Sequence, residues 1–254
     1  MKLIINADDF GLSESVNNGI VECFQAGLVK STTIMMNQKG VDHAIDLYKQ
    51  GLVPEVGLHF TVTSGKPLSP PEEVPSLIDD SGYFIDKVKL MDHPVSETEV
   101  YKELLAQYNA ALEAGLDINH IDSHHFAGVY APLKAAFVRF SNDFKIPVRR
   151  VDMFVRGQSA LQVPTTDAFD LGFFDEGATK NNLKTMILAH KEKYPDGLVE
   201  FMCHPSSEEN IEELYDVTGY VGKRVNERDI LTSPEMKNWL AEHNVETVGF
   251  DILR

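Results

Sequence analysis

Ionisable side chains in this chain gather just after short apolar runs. Asp8 and Asp9 follow Leu3–Ala7, His59 lies near the end of Val56–Val62, and Asp122 and His124 close the run Ile118–Ser123. Arg149 and Arg150 lie in Val148–Val151, and His204 follows Leu198–Cys203. One carboxylate and two imidazoles brought together would make a facial metal site with positions open to water and substrate. A second carboxylate beside it could take a proton from water. Two imidazoles and one carboxylate suit Zn²⁺, Co²⁺ or Ni²⁺ better than Mg²⁺ on ligand softness.

Strand alternation sharpens the candidates. In HIDSHHF it places His120, Asp122 and His124 on one face and His125 on the other. His124 is then the better ligand, and His125 the better candidate for packing or for supporting a ligand from behind. By the same alternation Asp8 and Asp9 cannot both point inward from a regular strand, a restriction that the turn Asp9-Phe10-Gly11 can relax. Taken singly, an Asp after a strand is usually a turn or cap residue, and a His in an apolar strand is usually a core residue. The joint coincidence carries the functional reading. His43, His93, His190 and His243 lie away from strand ends and read as surface residues. Cys203 reads as a buried thiol rather than a nucleophile, and Glu208, Glu209, Glu212 and Glu213 read as a solvated face.

These residues need a scaffold that delivers strand ends to one rim. Strands at Leu3–Ala7, Ser31–Met36, Val56–Val62, Ile118–Ser123, Val148–Val151, Leu198–Cys203 and Thr247–Phe250 alternate with helical patterns near 41–50, 97–114, 131–144, 180–193 and 234–243. The first helix is capped by Ser13, carries Val16, Ile20, Val21 and Phe24 on its apolar face, and ends at Gly27. Strands alternating with helices predict an α/β fold: a distorted (β/α) barrel of about seven strands, whose carboxyl ends form the active face. The whole chain, 1–254, reads as one catalytic domain with insertions near 64–94, 156–179 and 206–228.

Composition narrows the function classes. The chain has 254 residues, 43% hydrophobic and 24% charged, with a net charge of −16. That charge repels phosphate backbones and anionic lipid surfaces, so nucleic acid and membranes are not expected partners. Two cysteines, Cys23 and Cys203, cannot form a disulfide framework and point to a reducing, cytoplasmic setting. The N-terminal run is broken too early for a signal peptide, and no apolar run approaches the roughly 18 residues of a membrane span.

The segments NADDFGLS, STTIMMN, VGLHFTVTSGKPL, HIDSHH and MCHP, in this order and spacing, resemble the YdjC-type carbohydrate deacetylases, which include chitooligosaccharide deacetylases. The similarity spans essentially the whole chain. It implies a barrel of the glycoside hydrolase/deacetylase type and a divalent metal, usually Mg²⁺, held by Asp9, His59 and His124. Asp8 resembles the base of the more distant polysaccharide deacetylases, by analogy between families, and the division between base and ligand within the Asp pair stays open. Many relatives continue SHH with further histidines where Phe126 and Gly128 stand here, a departure that bears on sugar specificity.

The resulting expectation is a metal-dependent hydrolase acting on a small N-acetylated amino sugar or oligosaccharide. The cation polarises the acetyl carbonyl, Asp8 takes a proton from water, and His204 protonates the departing amine. Asp122 and His125 support the ligands. Arg149 binds substrate through its planar fork or forms a structural salt bridge. A homodimer is compatible with this reading. The rivals are a carboxylate-pair glycosidase using Asp8 and Asp122, and a non-catalytic sugar- or metal-binding protein.

Overall fold

The computed structural model describes residues 1–151 and 161–254. The first unit follows from its sequence. The apolar run behind Lys2 forms β1 (Lys2–Phe10), buried along its length beyond Lys2. Ser13 then accepts the Val16 N–H to open α1 (Glu14–Ala26), and Gly27, at φ +87°, closes it. The chain continues through β2 (Ser31–Ile34), α2 (Val41–Lys49) and β3 (Val56–Phe60). The proline-rich stretch near 64–94 holds two short 3₁₀ turns, an isolated Ile78–Phe84 bridge and α3 (Lys87–Leu90). After it come α4 (Glu97–Glu113), β4 (Ile118–Ser123) and α5 (Lys134–Phe144). The remainder is β5 (Ala168–Asp170), α6 (Lys180–Lys193), β6 (Leu198–Cys203), α7 (Gly222–Leu231), α8 (Pro234–Glu242) and β7 (Glu246–Thr247).

The strands form one parallel sheet ordered β4-β3-β2-β1-β6-β5, with β7 added to the start of β1. Helices surround it to give the distorted, open barrel that the alternating pattern predicts. With β1 central, Asp8 and Asp9 come out in the middle of the carboxyl rim, flanked by β2 and β3 on one side and β6 on the other. The core is a continuous cluster that includes Ile5, Phe10, Leu58, Phe137 and Phe201.

Several elements differ from the sequence expectation. Val148–Val151 is not a strand: Val148 makes a single parallel bridge to Ile121. Beside that bridge the Arg149 N–H bonds the Ile121 carbonyl at 3.1 Å, and the Arg149 side chain enters a cluster of carboxylates. The sheet's edge beside β6 is instead β5, inside the stretch read as an irregular insertion at 156–179. The Arg156 start of that insertion lies outside the described residues. The stretch 206–228 likewise contains most of α7. At the C-terminal end β7 stops at Thr247 and Phe250–Leu253 forms a 3₁₀ turn. Phe250 stacks on His120 with ring centroids 3.7 Å apart, so His120 is locked in the core, away from the rim.

The loop after β6 is seated on α1. The Ser207 N–H donates to the Ser15 carbonyl at 2.9 Å, and a Cβ on Gly19 would stand 2.4 Å from the Ser206 carbonyl carbon. Only glycine permits this approach, and the seat fixes the chain two residues beyond His204. Gly19→Ala is expected to destabilise the fold by about 1–3 kcal/mol through overpacking. Urea denaturation checks this, and an unchanged midpoint would show that the loop yields freely.

Candidate active site

A local irregularity brings both aspartates to the rim. The register between β1 and β2 shifts between Ala7 and Phe10, and Asp9 adopts φ +71°. This bulge lets neighbours of opposite parity face the same cleft. Asp9 Oδ1 lies 3.0 Å from His124 Nδ1 and 3.3 Å from His59 Nε2, and the two ring nitrogens are 3.3 Å apart. His59 stands opposite Asp122 in the β3–β4 ladder, and its Nδ1 donates to Asp122 Oδ1 at 2.6 Å. That bond orients the ring and turns Nε2 toward Asp9, the usual arrangement behind a metal-ligating histidine.

His124 opens a turn rather than extending β4, and His125 and Phe126 both take left-handed conformations, at φ +54° and +55°. His125 is therefore diverted by a kink and not by strand alternation. Its ring lies 3.8 Å from that of His124, and Nδ1 bonds Thr63 Oγ1.

Beside the triad, Arg149 is buried among three carboxylates. It makes paired contacts to Asp8 at 2.6 and 2.7 Å, reaches Asp122 Oδ2 at 2.9 Å and donates from Nε to Glu200 Oε1 at 2.6 Å. This is the salt bridge of the two expected alternatives. The guanidinium, 2% exposed, turns all three of its nitrogens to these carboxylates, which makes it part of the framework of the site. Burial alone would raise the Asp8 carboxyl, but the Arg149 charge and bonds outweigh it and hold Asp8 at about 2. Burial dominates at Glu200 and pushes it up to about 7. Asn6 steadies Asp8 through a 2.8 Å bond.

Arg224 performs the matching task for Asp9. It donates to Asp9 Oδ2 at 2.6 Å, and its charge, with that of His124, overcomes burial to hold the Asp9 carboxyl well below the usual range. Three residues along α7, Glu227 accepts the His204 backbone N–H and the Tyr220 hydroxyl, each at 2.5 Å. His204 Nε2 stands 4.0 Å from Asp8 Oδ2, and burial lowers its ring to about 4 against the opposing pull of Asp8 and Asp9. Asp8, Asp9, His204, Tyr220 and Arg224 line a cleft of about 570 Å³.

The donor set fits a divalent cation. Asp9 Oδ1 is buried with no hydrogen-bond partner among the described residues, although two ring nitrogens face it. Among the described residues the four carboxylates Asp8, Asp9, Asp122 and Glu200 crowd around two guanidinium groups and the His59 ring, a surplus of acidic groups that a cation would offset. Burial would depress His59, yet Asp122, Asp9 and Asp8 together lift it to about 10, which measures the same demand for positive charge. A second grouping, Asp8, His59 and Asp122, is also compact, but Arg149 already bridges its two carboxylates.

Asp8, Asp9, His59, Asp122, His124 and His204 thus meet at one rim, with His125 at its edge. His190 is half-buried and bonded to Asp170 at 2.8 Å rather than lying free on the surface. Sequence reading missed Arg224, Glu227, Tyr220 and Glu200. Only Glu200 left a signal: a lone charge inside a buried strand needs a buried partner.

Among the described residues no helix is long and apolar enough to cross a membrane. The family model for YdjC-like proteins matches residues 2–242. Carbohydrate deacetylases of Thermoanaerobacter pseudethanolicus and Brevibacillus brevis are 34% and 35% identical to the chain over 257 aligned residues. The first alignment covers 99% of both proteins and the second 100% of both. A crystal structure from Enterococcus faecalis V583, described as a candidate cellobiose-phosphate cleavage protein, superposes with a TM-score of 0.88 at 30% identity, covering 99% of this chain and 98% of that one. With its ordered motifs, its barrel and its full-length match, the chain belongs to the YdjC-like protein family.

Proposed function

We propose that the chain is a carbohydrate deacetylase that hydrolyses the N-acetyl group of an amino sugar or short oligosaccharide. The observation that carries the reading is the convergence of Asp9, His59 and His124 within 3.3 Å of one another, beside a carboxylate held ionised and across from a third imidazole. The name carried by the bacterial relatives supports it. Asp9, His59 and His124 would hold the cation: Mg²⁺ by family likeness, Zn²⁺, Co²⁺ or Ni²⁺ by donor softness. When bound, such a cation supplies Lewis-acid polarisation of the acetyl carbonyl and acidifies water in the cleft.

The chain's own residues divide the rest. Asp8, kept ionised by Arg149, accepts a proton from the water that adds to the carbonyl carbon. Burial keeps His204 neutral near pH 7, so the proton it delivers is the one Asp8 collects, handed across the 4.0 Å between Oδ2 and Nε2. The C–N bond then breaks with that proton on nitrogen, giving acetate and a free amine. Asp122 fixes the His59 ring, and His125 packs behind His124. Arg149 enters as the residue that positions Asp8. The continuous core supports one catalytic domain, and two buried free cysteines support a cytoplasmic setting. The glycosidase alternative needs a protonated acid, whereas Asp8 sits at about 2 and shares Arg149 with Asp122.

Dialysis against a chelator is expected to abolish acetate release, and added divalent cation to restore it; activity that survives chelation would favour the glycosidase reading. In metal titrations of the purified protein, His59→Ala and His124→Ala should each weaken binding by orders of magnitude. His125→Ala should weaken it far less, and equal losses at His124 and His125 would place both in the ligand set. His204→Ala should lose most of the rate on acetylated amines but much less on an activated acetyl ester, whose leaving group needs no proton. Both substrates are to be assayed with bound metal quantified in the same samples; equal losses at unchanged occupancy would remove His204 from the acid role.

A further inference from the structure

Three of the exposed large apolar side chains gather at the mouth of the active-site cleft: Met91 at 45% exposure, Leu171 at 53% and Phe174 at 38%. Phe174 is the one built into place. Its ring stacks on Tyr220, with centroids 4.3 Å apart and planes 25° apart, and stands edge-on to His204 at 5.2 Å. The Tyr220 hydroxyl is already committed. It donates to Glu227 at 2.5 Å and accepts the backbone N–H of Asp175, the residue after Phe174, at 2.9 Å. Asp175 itself takes φ +51°, a conformation that needs such support. The loop that presents Phe174 is therefore tied to the same carboxylate that grips the His204 backbone.

With one face covered by Tyr220 and an edge against His204, the ring offers its remaining face to the cleft. We propose that Phe174, braced by Tyr220, is the platform on which the pyranose ring bearing the scissile acetamide stacks. The inference rests on the deacetylase reading above and names the part of the substrate that the cleft selects. A pyranose presents an apolar face of C–H groups with hydroxyls around its rim, and burying that face against an aromatic ring is favourable. The location fits the chemistry: the amine half of the substrate must leave beside His204, where Phe174 stands, while the acetyl half faces Asp9, His59 and His124.

The test compares Phe174→Ala, Phe174→Leu and Phe174→Tyr as metal-loaded enzymes. The probes are an N-acetylated glucosamine disaccharide and a small acyclic ester, vinyl acetate. Phe174→Ala and Phe174→Leu should each lower kcat/KM on the disaccharide by at least about tenfold, mainly through KM, and weaken calorimetric binding of the deacetylated disaccharide to the same degree. Vinyl acetate should be turned over at close to the parent rate, and Phe174→Tyr should restore disaccharide activity. Equal losses on both probes, or no loss on the disaccharide, would overturn the platform. A parent enzyme that releases no acetate from any N-acetylated amino sugar would instead overturn the deacetylase reading, and the platform with it.

Discussion

A guanidinium sealed from water among three carboxylates holds this site together. Arg149 joins Asp8 on β1 and Glu200 on the adjacent β6 to Asp122 on β4, three strands away from β1 at the sheet's edge. Removing one member of a buried ion group typically costs about 3–5 kcal/mol, because the partners are left charged and unsolvated. Here the loss would spread further. Asp122 is also what orients His59, and Asp8 is also the candidate base, so the ligand geometry and the proton acceptor depend on one cation. Burial raises Glu200 to about 7 even against the pull of Arg149.

The strain at Asp9 belongs to the same economy of charge. A non-glycine residue at φ +71° is costly, of order 1–3 kcal/mol, unless its surroundings hold it there. Arg224 holds it through a 2.6 Å charge-assisted bond to the oxygen that faces away from the imidazoles. The carboxylate is thereby split: Oδ2 is spent on the protein, and Oδ1 is presented to His59 and His124. A regular strand would have offered Asp8 or Asp9 to the cleft, not both.

What the sequence revealed and what it hid follow from the range of the forces involved. Strand ends, the first helix with its Ser13 cap and Gly27 stop, and the placing of Asp8, His59 and His204 at strand ends were legible because local periodicity determines them, whereas Asp9 and His124 reach the rim through a bulge and a turn that strand parity does not encode. The part played by Arg149 was not, since its partners lie 51 and 141 residues away along the chain. Helix α7 was hidden for a different reason: KRVNERD is mostly polar, its N-terminal residue is glycine, and Val221 supplies no side-chain cap. Its buried charges, Arg224 and Glu227, carry no local sign of burial, because their partners Asp9, His204 and Tyr220 come from other parts of the fold or from the loop before the helix. Strand β5, three residues long, is below the length at which a pattern can be recognised.

Arg224 and Glu227 are one turn apart on α7, with Cβ atoms separated by about 5–6 Å, as for any such helical pair. On the proposed reading, the first grips the residue at the acetyl end of the cleft and the second the residue at the amine end. The span between the two ends is therefore set by the pitch of a helix, a length that sequence change can hardly alter. The mouth is shaped by the loops that carry Met91, Leu171 and Phe174, and of these the Phe174 loop is itself tied to Glu227 through Tyr220. Helix α7 thus fixes the span and braces one side of the mouth, while Met91 and Leu171 form a side that can change to suit another sugar without recalibrating the distance over which the amide is cut.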